Sequence, residues 1–468
     1  MEGLEVSEVC FKDIDLGDRY DAEYFFKEDI NSENLLLSKQ SLPLDNFGEF
    51  VASAFYPSAT ELYSIGDIPF MRCVDAISFP FITTEQDGLF EKLPLHFVNE
   101  QKGIHTLNKG DIVITKVGSP CFASIIEDID FVALSRTVLG IKNIKNIDPY
   151  YLLVFLRSKY GFKQLLRERE LTIQYQLTLD RVKKILVFTP SGDFQKNLSH
   201  FIQSQNVFVQ KSKALYTEAE NILLQELGLA NWKPTIKNNN TKTLKESFIV
   251  SGRIDAEYYQ PKYDELLSLL TNTKPLGKIV SIKKSIEPGS DAYQTEGLPF
   301  IRVGDLSKNG ISESAVYLDE VEYGNVDLYP KKNSILLSKD GSVGIAYKVE
   351  EDIKGITSGA ILHLTVTDKE FLPDYLTLVI NSIIVRLQAE RDAGGSIIQH
   401  WKPDEIKQVV IPKLGNAIQV KIAEKIQESF RLQKQSKELL EAAKAAVEIA
   451  IEQDENTALK HLQRFKDA

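Results

Sequence analysis

Any chemistry in this chain would have to come from a few short strings. An amino-methyltransferase acting on adenine needs [N/D]-P-P-[Y/F] to hold a flipped base. The nearest string, Asp148-Pro149-Tyr150-Tyr151, lacks the second proline, and reads better as a helix start with Asp148 near its cap. Glu405-Ile406-Lys407, with Pro373-Asp374 upstream, has the letters of a nuclease metal set. No GxxxxGK[ST] phosphate loop occurs, and Gly341-Ser342-Val343-Gly344 is too short for a dinucleotide fingerprint. The histidines, such as His96, His105 and His400, have no ligand spacing. Cys10, Cys73 and Cys121 form no CxxC pair. The sequence therefore points away from catalysis, metals and cofactors.

The order of the residues is more telling. Arg19-Tyr20-Asp21-Ala22-Glu23-Tyr24-Phe25 returns 234 residues later as Arg253-Ile254-Asp255-Ala256-Glu257-Tyr258-Tyr259. Pro69-Phe70-Met71-Arg72 returns as Pro299-Phe300-Ile301-Arg302, a shift of 230. Asp111 to Ser119 matches Ser334 to Ser342, and Ser135-Arg136-Thr137 falls on Ser358-Gly359-Ala360, both at 223. Phe194-Gln195 maps to Ile418-Gln419, and Lys211-Ser212-Lys213 to Gln435-Ser436-Lys437, at 224. Matches that keep their order while the shift drifts slowly describe a duplication with loop insertions. The duplication also weakens the nuclease reading. Glu405 falls on Arg181, which cannot hold a metal.

Each copy must position its residues with the same elements. The R-x-D-A-E-Y segment reads as a short extended lead into a helix. Strands are predicted at Ile68–Val74 and Asp111–Lys116, and at Leu298–Val303 and Ser334–Lys339. Tight turns come next, at Gly118-Ser119 and Gly341-Ser342. A helix is predicted over Pro149–Arg169 or Pro373–Arg391, then a strand ending at Pro190 or Pro412. A long helix closes each copy. Leu198, Ile202, Gln205, Val209, Ser212, Tyr216, Ala219 and Leu223 step by alternating fours and threes. Ile422, Ile426, Ser429, Gln433, Ser436, Leu440, Ala443 and Val447 repeat the pattern. These heptad seams, apolar at the ends and polar in the middle, are expected to pair antiparallel.

Together these residues resemble the specificity subunit of type I restriction–modification systems. The resemblance rests on paired R-x-D-A-E-Y openings, closing strands that end in proline, and long helices with an early glutamine. The second copy fits best, with Gly394-Gly395-Ser396, Ile411-Pro412 and Gln419; the first lacks the Gly-Gly. It implies an α/β chain of two homologous globular target-recognition modules separated by two long antiparallel coiled-coil helices. It implies no catalytic activity, two copies of an adenine methyltransferase subunit as partners, and motor–nuclease subunits in a restricting complex. The corresponding boundaries are a first recognition domain at 1–192, a spacer helix at 193–227 and a linker at 228–250. A second recognition domain at 251–413, a spacer helix at 414–452 and a tail at 453–468 complete the chain.

Side chains for reading DNA are then sought on loops. The first set is the turn after the strand: Lys116 and Ser119, with Arg136 nearby, and Lys339 and Ser342. The second is the loop after the module helix: Gln174, Tyr175 and Gln176, and Ser396, Gln399, His400, Trp401 and Lys402. Glutamine can pair with adenine in the major groove. The third is the basic stretch Arg157 to Lys184, including Lys163 and Arg167, for phosphates.

The bulk composition permits this. The 468 residues carry a net charge of −11, which disfavours indiscriminate coating of nucleic acid but not a specific reader with local basic faces. Neither a signal pattern nor an apolar run long enough to span a bilayer is present, so a cytoplasmic location is expected. The competing expectation is a non-catalytic protein scaffold built from the same modules. Purification with a methyltransferase subunit and selection on random duplexes separates the two.

Overall fold

The structure, a computed structural model, describes residues 7–9, 19, 21–54, 60–63, 65–78, 80–84, 90–118, 121–171, 175–237, 239–394 and 399–466. The chain divides into two compact units. One combines residues 1–209 with 434–468, and the other is residues 210–433. Among the described residues, no helix is long and apolar enough to cross a membrane.

The duplication holds strand by strand. In the first unit a five-stranded sheet runs Glu49–Ala52, Val138–Lys142, Ile112–Thr115, Ala123–Ile126, Phe81–Ile82. In the second unit a four-stranded sheet runs Val280–Lys284, Ile361–Val366, Ile335–Ser338, Ala346–Lys348. The latter order repeats the first four strands of the former, all antiparallel. In each unit a further strand, Ile68–Met71 or Leu298–Ile301, lies between one antiparallel and one parallel neighbour. Each closing strand, Leu186–Phe188 or Val410–Pro412, pairs back to the start of its own copy at Ser41–Pro43 or Thr273–Pro275. The proline-terminated strand thus closes the module.

The predicted module helix is two helices. Pro149–Arg157 and Lys159–Arg167 break at Ser158, and Pro373–Asn381 and Ile383–Asp392 break at Ser382. Serine leaves the helical region at both breaks, with ψ of 165° and 171°, and serves as N-cap of the next helix. The R-x-D-A-E-Y segments form single 3-10 turns, Ala22–Phe25 and Ala256–Tyr259, each leading into a helix.

The long helices run Gly192–Glu226 and Asn416–Glu452, 35 and 37 residues, or about 50 Å each. In the first unit Gln205 Nε2 donates to Ser436 Oγ at 2.5 Å, and both are buried. In the second unit Ser212 and Ser429 each donate to the other's main-chain carbonyl, at 2.8 and 2.7 Å. Within each unit the pairing is antiparallel, and the polar middle of the seam is joined by hydrogen bonds rather than apolar packing, with Gln205 Oε1 left without a partner among the described residues. The apolar ends enter the cores. Leu198 and Ile202 join Ala443 and Val447 in the first; Ala219 and Leu223 join Ile422 and Ile426 in the second.

The expected C-terminal tail is a helix, Glu455–Lys466. Ala458 and Leu462 are buried in the first unit's core, and Glu455 accepts a hydrogen bond from the Ser191 main chain at 2.9 Å. Apolar side chains every fourth position drive it inward.

Candidate nucleic-acid interface

The two loops proposed from sequence meet in each unit. In the first, Thr115 and Phe122 bracket the turn: Thr115 N donates to Phe122 O, and Phe122 N to Thr115 Oγ1, both at 2.9 Å. In the second, Ser338 N donates to Ile345 O and Ile345 N to Ser338 Oγ, again both at 2.9 Å. Gly118 and Gly341 turn the chain at φ +89° and +72°, where a side chain is disfavoured. The later loop then crosses the turn. Val117 bridges Gln176, and Leu177 N donates to Lys116 O at 3.0 Å. Asp340 bridges His400, and Trp401 N donates to Lys339 O at 2.8 Å.

This register makes Leu177 the counterpart of Trp401, and both are buried. Trp401 is therefore a core residue rather than a DNA contact. Tyr175 answers to Gln399, and Gln176 to His400. Sequence reasoning also passed over Thr115 and Ser338. A hydroxyl at the same place in both copies was the available signal.

The tips differ in charge. In the first unit Lys116 is half-buried, and burial followed by the nearby Arg136 pulls its amine below the usual lysine range. Arg136 is exposed. Tyr175 is exposed, and the Arg169 guanidinium lies 4.2 Å from its ring centre. In the second unit Lys339 is ion-paired with Asp340, whose other oxygen lies 2.8 Å from His400 Nδ1. Ser342, Gln399 and Lys402 are exposed, and Lys402 caps a helix through Glu405. One tip is cationic and aromatic. The other offers a charge-balanced polar set. Ser119, Gln174 and Ser396 lie outside the described residues.

The basic stretch is not an open phosphate-binding face. Lys163 pairs with Glu28, Arg167 with Glu33 at 2.7 Å, Lys159 with Glu452, and Arg181 with Glu170 at 3.2 Å. Arg157 is half-buried and donates to Ala123 O at 2.5 Å, with burial pushing its pKa down to about 10. Acidic neighbours from other elements take up these charges, which the local sequence does not reveal. Arg167, whose side chain is 8% exposed, serves the fold, whereas the Lys163–Glu28 pair stays on the surface.

The catalytic suspects have structural partners too. Asp148 caps its helix, accepting from Tyr150 N and Tyr151 N at 2.9 and 3.1 Å. Asp374 is buried against Lys348 at 2.6 Å, while Glu405 sits in the first turn of Pro403–Gln408. Among the described residues, no group of three or more His, Cys, Asp or Glu side chains is placed to hold a metal.

The family model of the type I restriction modification DNA specificity domain matches residues 271–442. That match bears out the resemblance, in the copy where its signature is fullest. No curated protein matches the chain. Among solved structures, the S subunit of a type I restriction–modification system from M. genitalium is similar at 13% identity and TM-score 0.37, over 90% of this chain and 95% of that one. The HsdS subunit from Thermoanaerobacter tengcongensis is similar at 13% identity and TM-score 0.28, over 88% and 96%. Superpositions this loose say nothing further about the chain.

Proposed function

From a type I restriction modification DNA specificity domain at residues 271–442, we propose that the whole chain is the specificity subunit of such a system. It reads an asymmetric, bipartite DNA site, one half per unit, and has no catalytic chemistry of its own. It directs two copies of an adenine methyltransferase subunit to that site, and motor–nuclease subunits where the system restricts. One observation carries the reading. The turn and the loop that crosses it repeat almost bond for bond in the two units, yet around a shared lysine they present unlike side chains: Val117, Arg136, Tyr175 and Gln176 against Asp340, Gly359, Gln399 and His400. A repeated frame with divergent tips suits two readers of two unlike half-sites, because base-edge groups specify while the frame positions them. Cytoplasmic residence follows from that role.

Selection of random duplexes by the purified chain with its methyltransferase subunit is expected to enrich a split motif with two different halves. Tight protein binding without any enriched sequence would overturn the reading in favour of a scaffold.

A further inference from the structure

The motif that opens each copy makes the same set of bonds twice. Arg19 holds the Asp21 carboxylate with Nε and Nη2, at 2.5 and 2.8 Å, and its Nη1 donates to the main-chain carbonyl of Arg169 at 2.6 Å. Arg253 holds Asp255 with Nε and Nη2, at 2.8 and 2.5 Å, and its Nη1 donates to the carbonyl of Asp392 at 3.1 Å. The tyrosine three residues after the aspartate completes each set. The Tyr24 ring is 5.2 Å from the Arg19 guanidinium and 4.1 Å from that of Arg167. The Tyr258 ring is 4.6 and 5.3 Å from those of Arg253 and Arg391.

The Asp392 carbonyl is the last of the helix Ile383–Asp392; that of Arg169 lies two residues past the helix Lys159–Arg167, whose final carbonyl, at Arg167, the same Nη1 also reaches at 3.5 Å. Carbonyls there have no partner within the helix, and a cation suits that end. Beyond each helix end, the chain runs directly into the segment that crosses the turn. Arg169, whose carbonyl is gripped, places its own guanidinium over Tyr175. Asp392 stands two residues before Gly394, which exchanges main-chain hydrogen bonds of 3.1 and 2.7 Å with His400.

We infer that the Arg-x-Asp pair heading each copy, Arg19 with Asp21 and Arg253 with Asp255, is the positioning element for that copy's recognition segment. It fixes where the chain leaves the helix, so that Tyr175 and Gln176, or Gln399 and His400, meet DNA at a set angle. The inference rests on the proposed DNA-reading role. A pair that only staples the fold would lower stability and leave sequence preference alone.

Arg19→Ala and Arg253→Ala are compared with the unchanged chain, each with the methyltransferase subunit, by selection on random duplexes and by amide hydrogen exchange. Each variant is expected to blur one half-site, a different one in each, with about a tenfold loss of discrimination, the scale of one base contact. In Arg253→Ala, the amides of His400 and Trp401 are expected to exchange about tenfold faster while those of Ile361–Val366 hold. Unchanged half-sites and unchanged loop exchange, with only a lower unfolding midpoint, would overturn the inference. So would both variants blurring the same half. If an alanine variant does not fold, Arg253→Lys carries the test. It keeps the cation but cannot form the two-pronged grip, so partial blurring is expected. If the unchanged chain selects no motif, the DNA-reading role fails, and loop exchange alone judges the positioning.

Discussion

Arg136 and Lys116 occupy neighbouring places on the first unit's tip, and their proximity depresses the lysine further. If Arg136 meets phosphate, Arg136→Ala weakens binding to every duplex alike and lowers the slope of log affinity against log salt by about 1. Titrations at several salt concentrations check this; an unchanged slope removes Arg136 from the interface. A second prediction concerns His363. Burial, then Lys283, pushes its pKa down to about 4, and Thr357 Oγ1 lies 2.8 Å from its ring. In the unfolded chain a histidine titrates near ~6.5, so the unfolded state takes up the proton first. Stability of the second unit is therefore full above ~6.5 and falls as pH drops toward 4. His363→Gln is expected to flatten that slope in urea midpoints measured between pH 7 and 5. Residue roles are only partly legible in the sequence. Spacing alone puts Lys116 and Gln176 on loops, and the two loops do meet. It misleads for Arg167 and Trp401, because a charge answered by a distant glutamate and an indole filling a core look the same in sequence as exposed ones.

At the scale of elements, the early glutamine of each long helix is a bracket between helix and module. Gln195 accepts from Asp148 N at 2.9 Å and donates to Pro190 O at 3.0 Å. Gln419 accepts from Leu372 N at 3.0 Å and donates to Glu370 O and Leu414 O, both at 2.9 Å. A second glutamine braces the closing strand: Gln164 exchanges bonds with Leu186, and Gln388 with Val410. Gln419→Ala would strand a half-buried N–H and two carbonyls at the module's edge, costing about 1 kcal/mol, which denaturant unfolding of the purified chain measures. A loss below a few tenths would mean water replaces the bracket. The heptad seam and the closing strands were legible because apolar spacing records burial directly. The breaks at Ser158 and Ser382 were not, since serine tolerates both helix and cap and only the surrounding packing selects the cap.

At the scale of the molecule, the repeat was legible from a handful of matched strings, and the sheet order confirms it down to parallel and antiparallel neighbours. On the proposed function, the long helices act as the ruler between half-sites. Inserting one heptad in each helix at matched positions, about 10 Å, should widen the unread gap by roughly 3 base pairs and leave both halves unchanged. Methylome sequencing of such a variant checks it; altered halves with an unaltered gap would contradict the ruler.

What the repeat did not announce is how the units divide the chain. The first unit is completed by residues 434–468, which are made after all of the second unit. During synthesis the N-terminal module waits with part of its core open until Ala442, Ala446, Ala458 and Leu462 arrive. The module encoded second, whose residues are contiguous, has all its parts first. A stop codon just after residue 433 would therefore damage the unit begun first and spare the one begun second.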